Sequence, residues 1–147
     1  MKNIVLTVCL FFSFLTVGMS QFSFGAGAQL IFDGSVFGVQ GKALYEINDS
    51  WRAAGAFTYH LEDFFDYTID LDAQYKALEV SDNFDLAPLA GLSISRFSVL
   101  GFGTTDTGIN LGAFITIGGD NLNFYIEPKL RIGDGGDGLI VSGGVLF

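Results

Sequence analysis

From Gln21 to Phe147 hydrophobicity alternates with a period of two residues, in segments separated by turn signals about every ten to fifteen residues. A helix repeats about every 3.6 residues, so the pattern predicts strands throughout and no helix. Eight segments carry it: Phe22–Phe32, Phe37–Ile47, Trp51–Leu61, Tyr67–Ala77, Phe84–Arg96, Ile109–Ile117, Leu122–Ile132 and Leu139–Phe147. The seventh is the cleanest, with Leu122, Phe124, Ile126, Pro128, Leu130 and Ile132 set against Asn123, Tyr125, Glu127, Lys129 and Arg131. Turns are expected at Asp33–Ser35, Asn48–Ser50, Glu62–Asp66, Val80–Asn83, Gly118–Asn121 and Gly133–Gly138, with Phe97–Thr107 the longest connection. Pro88 lacks a ladder donor, which predicts a bulge in the fifth strand. The whole of 21–147 is expected to form one all-β domain, an eight-stranded antiparallel up-and-down barrel.

Alternation alone does not say which face is inside. Half of the sequence is hydrophobic and only 16% is charged, with a mean hydropathy of +0.46. Beyond the N-terminus no apolar run approaches the roughly 20 residues of a membrane helix. High hydrophobicity without a spanning helix points to strands that cross a bilayer. A net charge of −9 speaks against nucleic acid as a partner.

The N-terminus has the form of a secretory signal peptide over 1–20. Lys2 supplies the positive start, Ile4–Val17 the apolar core, and Gly18 and Ser20 the small residues before Gln21. Cys9 is the only cysteine; it follows a bulky Val8 and lies inside the apolar core, so neither a lipid anchor nor a disulfide is expected. Without Lys2, six basic residues face sixteen acidic ones, a net of −10.

Two further observations put the apolar face outside. Lys42, Arg52, Lys76, Lys129 and Arg131 share the polar face with Glu46, Asp70, Asp72 and Glu127, a near-neutral set padded by Gly, Ala and Ser. Such a face suits a packed lumen better than a soluble exterior. On the apolar face aromatic residues gather at strand ends. Phe22, Phe24, Tyr45, Trp51, Tyr75, Phe84, Phe124 and Phe147 lie toward one rim, and Phe32, Phe37, Tyr59 and Tyr67 toward the other.

With a signal peptide, eight alternating strands and a terminal Phe147, the chain resembles the small outer-membrane barrels of the OmpA/OmpX type, the outer membrane protein beta-barrel domain class of Gram-negative bacteria. The resemblance implies an outer-membrane location, both termini in the periplasm and a last strand whose Phe147 acts as the assembly signal. It implies as partners the barrel-assembly machinery and periplasmic chaperones during biogenesis, then membrane lipid and lipopolysaccharide, with a monomeric barrel. It transfers no particular activity. Short outer connections depart from OmpX and argue against a protruding adhesive sheet.

Among candidate sites, His60 is the only histidine and stands on the polar face. Barrels that deacylate lipid A place Ser two residues from their His on one strand; here that position is Glu62, so a polar lumen residue is expected instead. Asp134 and Asp137 lack the spacing of a Ca²⁺ loop. Asp33, Glu62, Asp63, Asp66 and Asp106 join them in the outer connections, as a solvated acidic rim or as bridges to lipopolysaccharide through divalent cations. Arg96 is the one mature basic residue off the polar face, at the outer rim, where a guanidinium meets lipopolysaccharide phosphate or simply snorkels. The nine lumen charges are expected to plug the barrel with ion pairs. The expected function is therefore non-enzymatic and cofactor-free, structural or surface-interacting. A narrow pore or small-solute transporter is the alternative, and a lipid-modifying envelope enzyme the third reading.

Overall fold

Two-residue periodicity becomes curvature when one face must be packed and the other left to solvent. A computed structural model describes residues 21–76, 78–81, 83–99, 102–118, 122–134 and 137–147. Segment 1–20, expected to be a signal peptide, lies outside the described residues. The strands are β1 (Phe22–Ile31), β2 (Val36–Glu46), β3 (Trp51–His60), β4 (Phe65–Tyr75), β5 (Leu78–Ser81), β6 (Phe84–Val99), β7 (Phe102–Gly118), β8 (Asn123–Gly133) and β9 (Gly138–Leu146). Every neighbouring pair is antiparallel, and β1 pairs with β9 to close the sheet on itself. Because β4 and β5 both pair with β6 and follow one line, the nine segments make eight barrel positions.

Closure buries the face that the sequence marks as polar. Along β3 the buried residues are Arg52, Ala54, Ala56, Thr58 and His60, whereas Trp51, Phe57 and Tyr59 stand outside. Lys129, Glu127, Asp70 and Asn110 are at most 1% exposed, while Leu71, Leu92 and Ile109 are 52–61% exposed. Water would favour the reverse. An apolar exterior around an ionic interior is stable only where the surrounding solvent is hydrocarbon, so this is a membrane-spanning barrel. Its aromatic rim is paired at the end that carries the C-terminus: Phe22 meets Tyr45 at 4.8 Å between ring centroids and Trp51 meets Tyr75 at 5.0 Å.

Three local features differ from the expectation. Of the expected connection Phe97–Thr107, residues 97–99 and 102–107 are strand: β6 and β7 stay paired out to Ser98↔Gly103 and Val99↔Phe102. This hairpin rises past the end of β8, whose first partner on β7 is Gly108. The anticipated bulge at Pro88 lies instead in the strand beside it. The β4–β6 ladder ends at Gln74↔Leu89 and resumes as Leu78↔Leu86, so three residues on one side face two on the other. The expected turn at Val80–Asn83 correspondingly begins later, since β5 runs to Ser81. Finally, β4 begins at Phe65 with a register shift between Phe65 and Tyr67. The extra residue, Asp66, reverses side-chain parity and turns Phe65 into the lumen mouth, where it is 8% exposed.

Candidate functional site

The polar chemistry of this chain is concentrated in the lumen, where side chains two apart on each strand project toward the axis. On β4 that parity aligns Asp70 with Asp72, and on β8 Glu127 with Lys129. The two strands lie across the barrel from one another, separated by β6 and β7. Lys129 Nζ spans the gap, 2.9 Å from Asp70 Oδ2, 3.4 Å from Asp72 Oδ2 and 3.1 Å from Glu127 Oε1. Asn110 on β7 donates through Nδ2 to Asp70 Oδ1 at 2.9 Å and Asp72 Oδ1 at 3.1 Å. The other Glu127 oxygen accepts from Lys42 Nζ at 2.5 Å. Two ammonium groups and three carboxylates thus share one buried cluster in which each charge has an opposite neighbour. Such mutual pairing is what allows ions to remain in a low-dielectric interior.

Toward the C-terminal end the cluster gives way to aromatic rings. Phe114 and Tyr125 stack at 5.4 Å with an interplanar angle of 14°. Lys42 Nζ sits 5.1 Å from both ring centres, and the Arg52 guanidinium lies 4.8 Å from that of Phe114. Arg52 Nε also donates to Gln74 Oε1 at 2.7 Å, and Glu46 draws together Arg52 and Lys76. Tyr125 fits because Gly27 leaves room for its hydroxyl. A Cβ on Gly27 would sit 2.5 Å from the Tyr125 hydroxyl, and one on Gly25 3.6 Å from its ring. That hydroxyl donates to Gln40 Oε1 at 3.1 Å, and Gln40 Nε2 in turn donates to Thr58 Oγ1 at 3.0 Å.

Eight of the nine lumen charges expected from the sequence are therefore drawn into ion pairs, in two groups: Lys42, Asp70, Asp72, Glu127 and Lys129, then Glu46, Arg52 and Lys76. Arg131 is the exception. It is buried in the lumen but joins no ion pair among the described residues, and its Nε and Nη2 have no hydrogen-bond partner there. The uncharged members Gln40, Gln74, Asn110, Phe114 and Tyr125 have no charge to mark them as site residues, although their inward parity is visible in the sequence.

His60 Nε2 lies 3.0 Å from Thr68 Oγ1, which is 2.9 Å from Ser95 Oγ. The imidazole is 2% exposed and packs edge-on against Phe65, with centroids 4.1 Å apart. Glu62 is exposed outside this pocket, and His60 Nδ1 has no hydrogen-bond partner among the described residues. Arg96 stands on the outer surface with its guanidinium over Gly103, where a Cβ would lie 2.5 Å from Nη2. Asp66 accepts from Ser98 Oγ at 2.5 Å. Among the described residues no group of three or more His, Cys, Asp or Glu side chains is arranged to hold a metal ion.

No protein-family model matches the sequence, and no curated protein matches it. Solved structures match in fold. The N-terminal β-barrel domain of Pseudomonas aeruginosa OprF superposes with a TM-score of 0.73 at 17% identity, over 86% of this chain and 95% of that one. Neisserial surface protein A gives 0.56 at 21% identity over 85% and 93%. The Yersinia pestis outer membrane protein Ail, in a phospholipid bilayer nanodisc, gives 0.55 at 17% identity over 86% and 97%. At these identities the likeness is one of fold: a small closed barrel of the outer-membrane kind.

Proposed function

We propose that the protein is an integral outer-membrane barrel of a Gram-negative envelope, non-enzymatic, with a closed lumen and a structural or surface-interacting role. The observation that carries this reading is Lys129, fully buried at mid-lumen between Asp70, Asp72 and Glu127. An eight-stranded barrel has an interior just wide enough for its side chains. Here Lys129 bridges it from wall to wall, with Phe114, Leu44 and Leu89 packed on the C-terminal side. Water or ions would have to separate paired charges to pass. On the outer surface, Arg96 at the rim suits contact with lipopolysaccharide phosphate, and Phe147 suits recognition by the barrel-assembly machinery. The barrel works as a monomer in this reading.

Conductance across a planar bilayer tests it. Barrels inserted from detergent are expected to leave the bilayer current at baseline. Reproducible ohmic steps would replace the closed barrel with the narrow pore.

A further inference from the structure

We propose that Asn48, in the β2–β3 turn, is an acceptor for an N-linked glycan, transferred from a polyprenyl-diphosphate-linked sugar after the chain has left the cytoplasm. The inference rests on the reading of the chain as an exported outer-membrane barrel, and its test separates the two.

Asn48-Asp49-Ser50 is the one Asn-x-Ser or Asn-x-Thr tripeptide in the sequence, and its middle residue is not proline. All three residues are exposed, between the end of β2 at Glu46 and the start of β3 at Trp51. Glu46, two residues before Asn48, supplies the acidic position of the longer acceptor pattern that bacterial transferases of this class read. The turn projects from the end of the barrel where Phe22 meets Tyr45 and Trp51 meets Tyr75. Such rings mark the headgroup level, so a sugar on Asn48 stands in water rather than in hydrocarbon.

The local geometry suits that chemistry. Asn48 Oδ1 accepts from Ser50 N at 2.9 Å and from Trp51 N at 2.8 Å. Two N–H donors can be met only by the oxygen, so Nδ2 takes no part in either bond. The first bond makes an Asx-turn, which folds the second residue on toward the amide and so brings Ser50 beside the reacting group. Ser50 holds the turn with its main chain, since its N–H donates to Asn48 and its carbonyl accepts from Lys76 N at 2.8 Å. The turn alone asks for less: an aspartate at 48 accepts both bonds, and almost any residue at 50 donates its N–H. The amide nitrogen and the hydroxyl are the two groups that the acceptor reaction needs and these bonds leave unused. Transfer is a substitution at the anomeric carbon. The bond from C1 to the diphosphate oxygen breaks, a C1–Nδ2 bond forms, and Nδ2 gives up one proton to the oligosaccharyltransferase. The polyprenyl diphosphate leaves with the electron pair, and nothing is oxidised or reduced.

The test uses the whole protein recovered from the membranes of its own cells. Trypsin cuts after Lys42 and Arg52 and releases Asn48 in peptide 43–52. Mass spectrometry should find that peptide with the added mass of a glycan, sugar fragment ions and the attachment on Asn48. Ser50→Ala should lower the modified fraction at least tenfold, and Ser50→Thr should retain it. Asn48→Asp should abolish it while the yield of folded barrel and the unfolding midpoint in urea stay at the wild-type values, because the carboxylate still accepts both turn bonds. If Asn48 serves only the turn, all four proteins give the unmodified peptide mass, and the proposal is overturned. A glycan that persists in Asn48→Asp, or that ignores Ser50→Ala, lies elsewhere and overturns it as well. Cell fractionation and the N-terminal residue are read from the same samples. A chain in the outer membrane that begins at Gln21 and carries a bare Asn48 would sink the glycan site and leave the barrel reading intact. A chain retained in the cytoplasm would overturn the export on which both depend.

Discussion

The backbones of Phe147 and Phe24 exchange two hydrogen bonds, Phe147 N to Phe24 O at 2.8 Å and Phe24 N to Phe147 O at 3.1 Å. They complete the β1–β9 ladder that runs from Ile31↔Ile140 to Gly25↔Leu146. The last residue thus closes the barrel with its main chain, while its ring, in a residue 69% exposed, is left at the surface.

That division separates assembly from stability. Deleting Phe147 removes both bonds, at about 0.5–1.5 kcal/mol each. Phe147→Ala keeps them and removes only the ring. If the ring is an assembly signal, Phe147→Ala should lower outer-membrane yield several-fold while its unfolding midpoint in detergent barely moves. Parallel losses in yield and in stability would reduce Phe147 to a packing residue.

Processing gives an independent check on topology. Mass spectrometry of protein recovered from membranes should find Gln21 as the first residue. A chain that retains Ile4–Val17, or carries an acyl group on Cys9, would contradict the signal-peptide reading and with it the placement of both termini in the periplasm.

Lys42 and Glu127 should show an unequal response to substitution. Glu127→Gln leaves Lys42 without a carboxylate partner among the described residues, although the Phe114 and Tyr125 rings remain close. Removing one member of a buried pair costs about 3–5 kcal/mol. Lys42→Met should cost less, because Glu127 retains Lys129 at 3.1 Å. The double variant should therefore be more stable than Glu127→Gln alone in equilibrium unfolding by urea. Equal stabilities would mean that the buried, unpaired charge of Lys42 is not what Glu127 controls.

Gly27 and Tyr125 form a second testable pair. Gly27→Ala places a methyl group 2.5 Å from the Tyr125 hydroxyl and presses on β9. Overpacking of this kind costs about 1–3 kcal/mol. Tyr125→Phe should recover part of that loss in the double variant, although on its own it sacrifices the bond to Gln40. Strict additivity of the two losses would show that the clash with the Gly143 carbonyl oxygen on β9, closer still to the added methyl, carries the cost instead of the tyrosine hydroxyl.

Much of this architecture is legible in the sequence because a bilayer imposes a binary choice on every spanning residue. Lys42, Asp70, Glu127 and Lys129 fall inside by parity alone. Where a strand leaves hydrocarbon the constraint ends, which is why residues 97–99 and 102–107 show no alternation although they are paired in β6 and β7. A single inserted residue also erases the pattern: Asp66 interrupts the alternation, so Phe65 falls in the expected turn Glu62–Asp66 when in fact it opens β4 and faces His60. Which charges meet across the lumen was not legible. Lys129 reaches Asp70 through the tilt and stagger of β8 against β4, a property of the closed barrel rather than of either strand. The same holds for Arg131, whose sequence parity matches that of Lys129 but which joins no ion pair among the described residues.

Ile126 and Glu127 test the orientation on which all of this depends. They are neighbours on β8, with Ile126 43% exposed and Glu127 fully buried. Their cross-strand partners agree, since Ile126 pairs with outward Ile115 on β7 and Glu127 with inward Ser142 on β9. If the surrounding solvent is hydrocarbon, Ile126→Arg places a guanidinium in the bilayer at a cost of roughly 2–4 kcal/mol at the midplane, less toward an interface. In a soluble barrel the same change would put a charge into water and cost almost nothing. The expected result is a strong loss of folding into bilayers for Ile126→Arg. A fluorophore on Ile126→Cys should be quenched by probes attached to lipid acyl chains, and one on Glu127→Cys should be shielded. Quenching at 127 with none at 126 would invert the faces, and the ionic cluster around Lys129 would then have to lie on the membrane side of the wall.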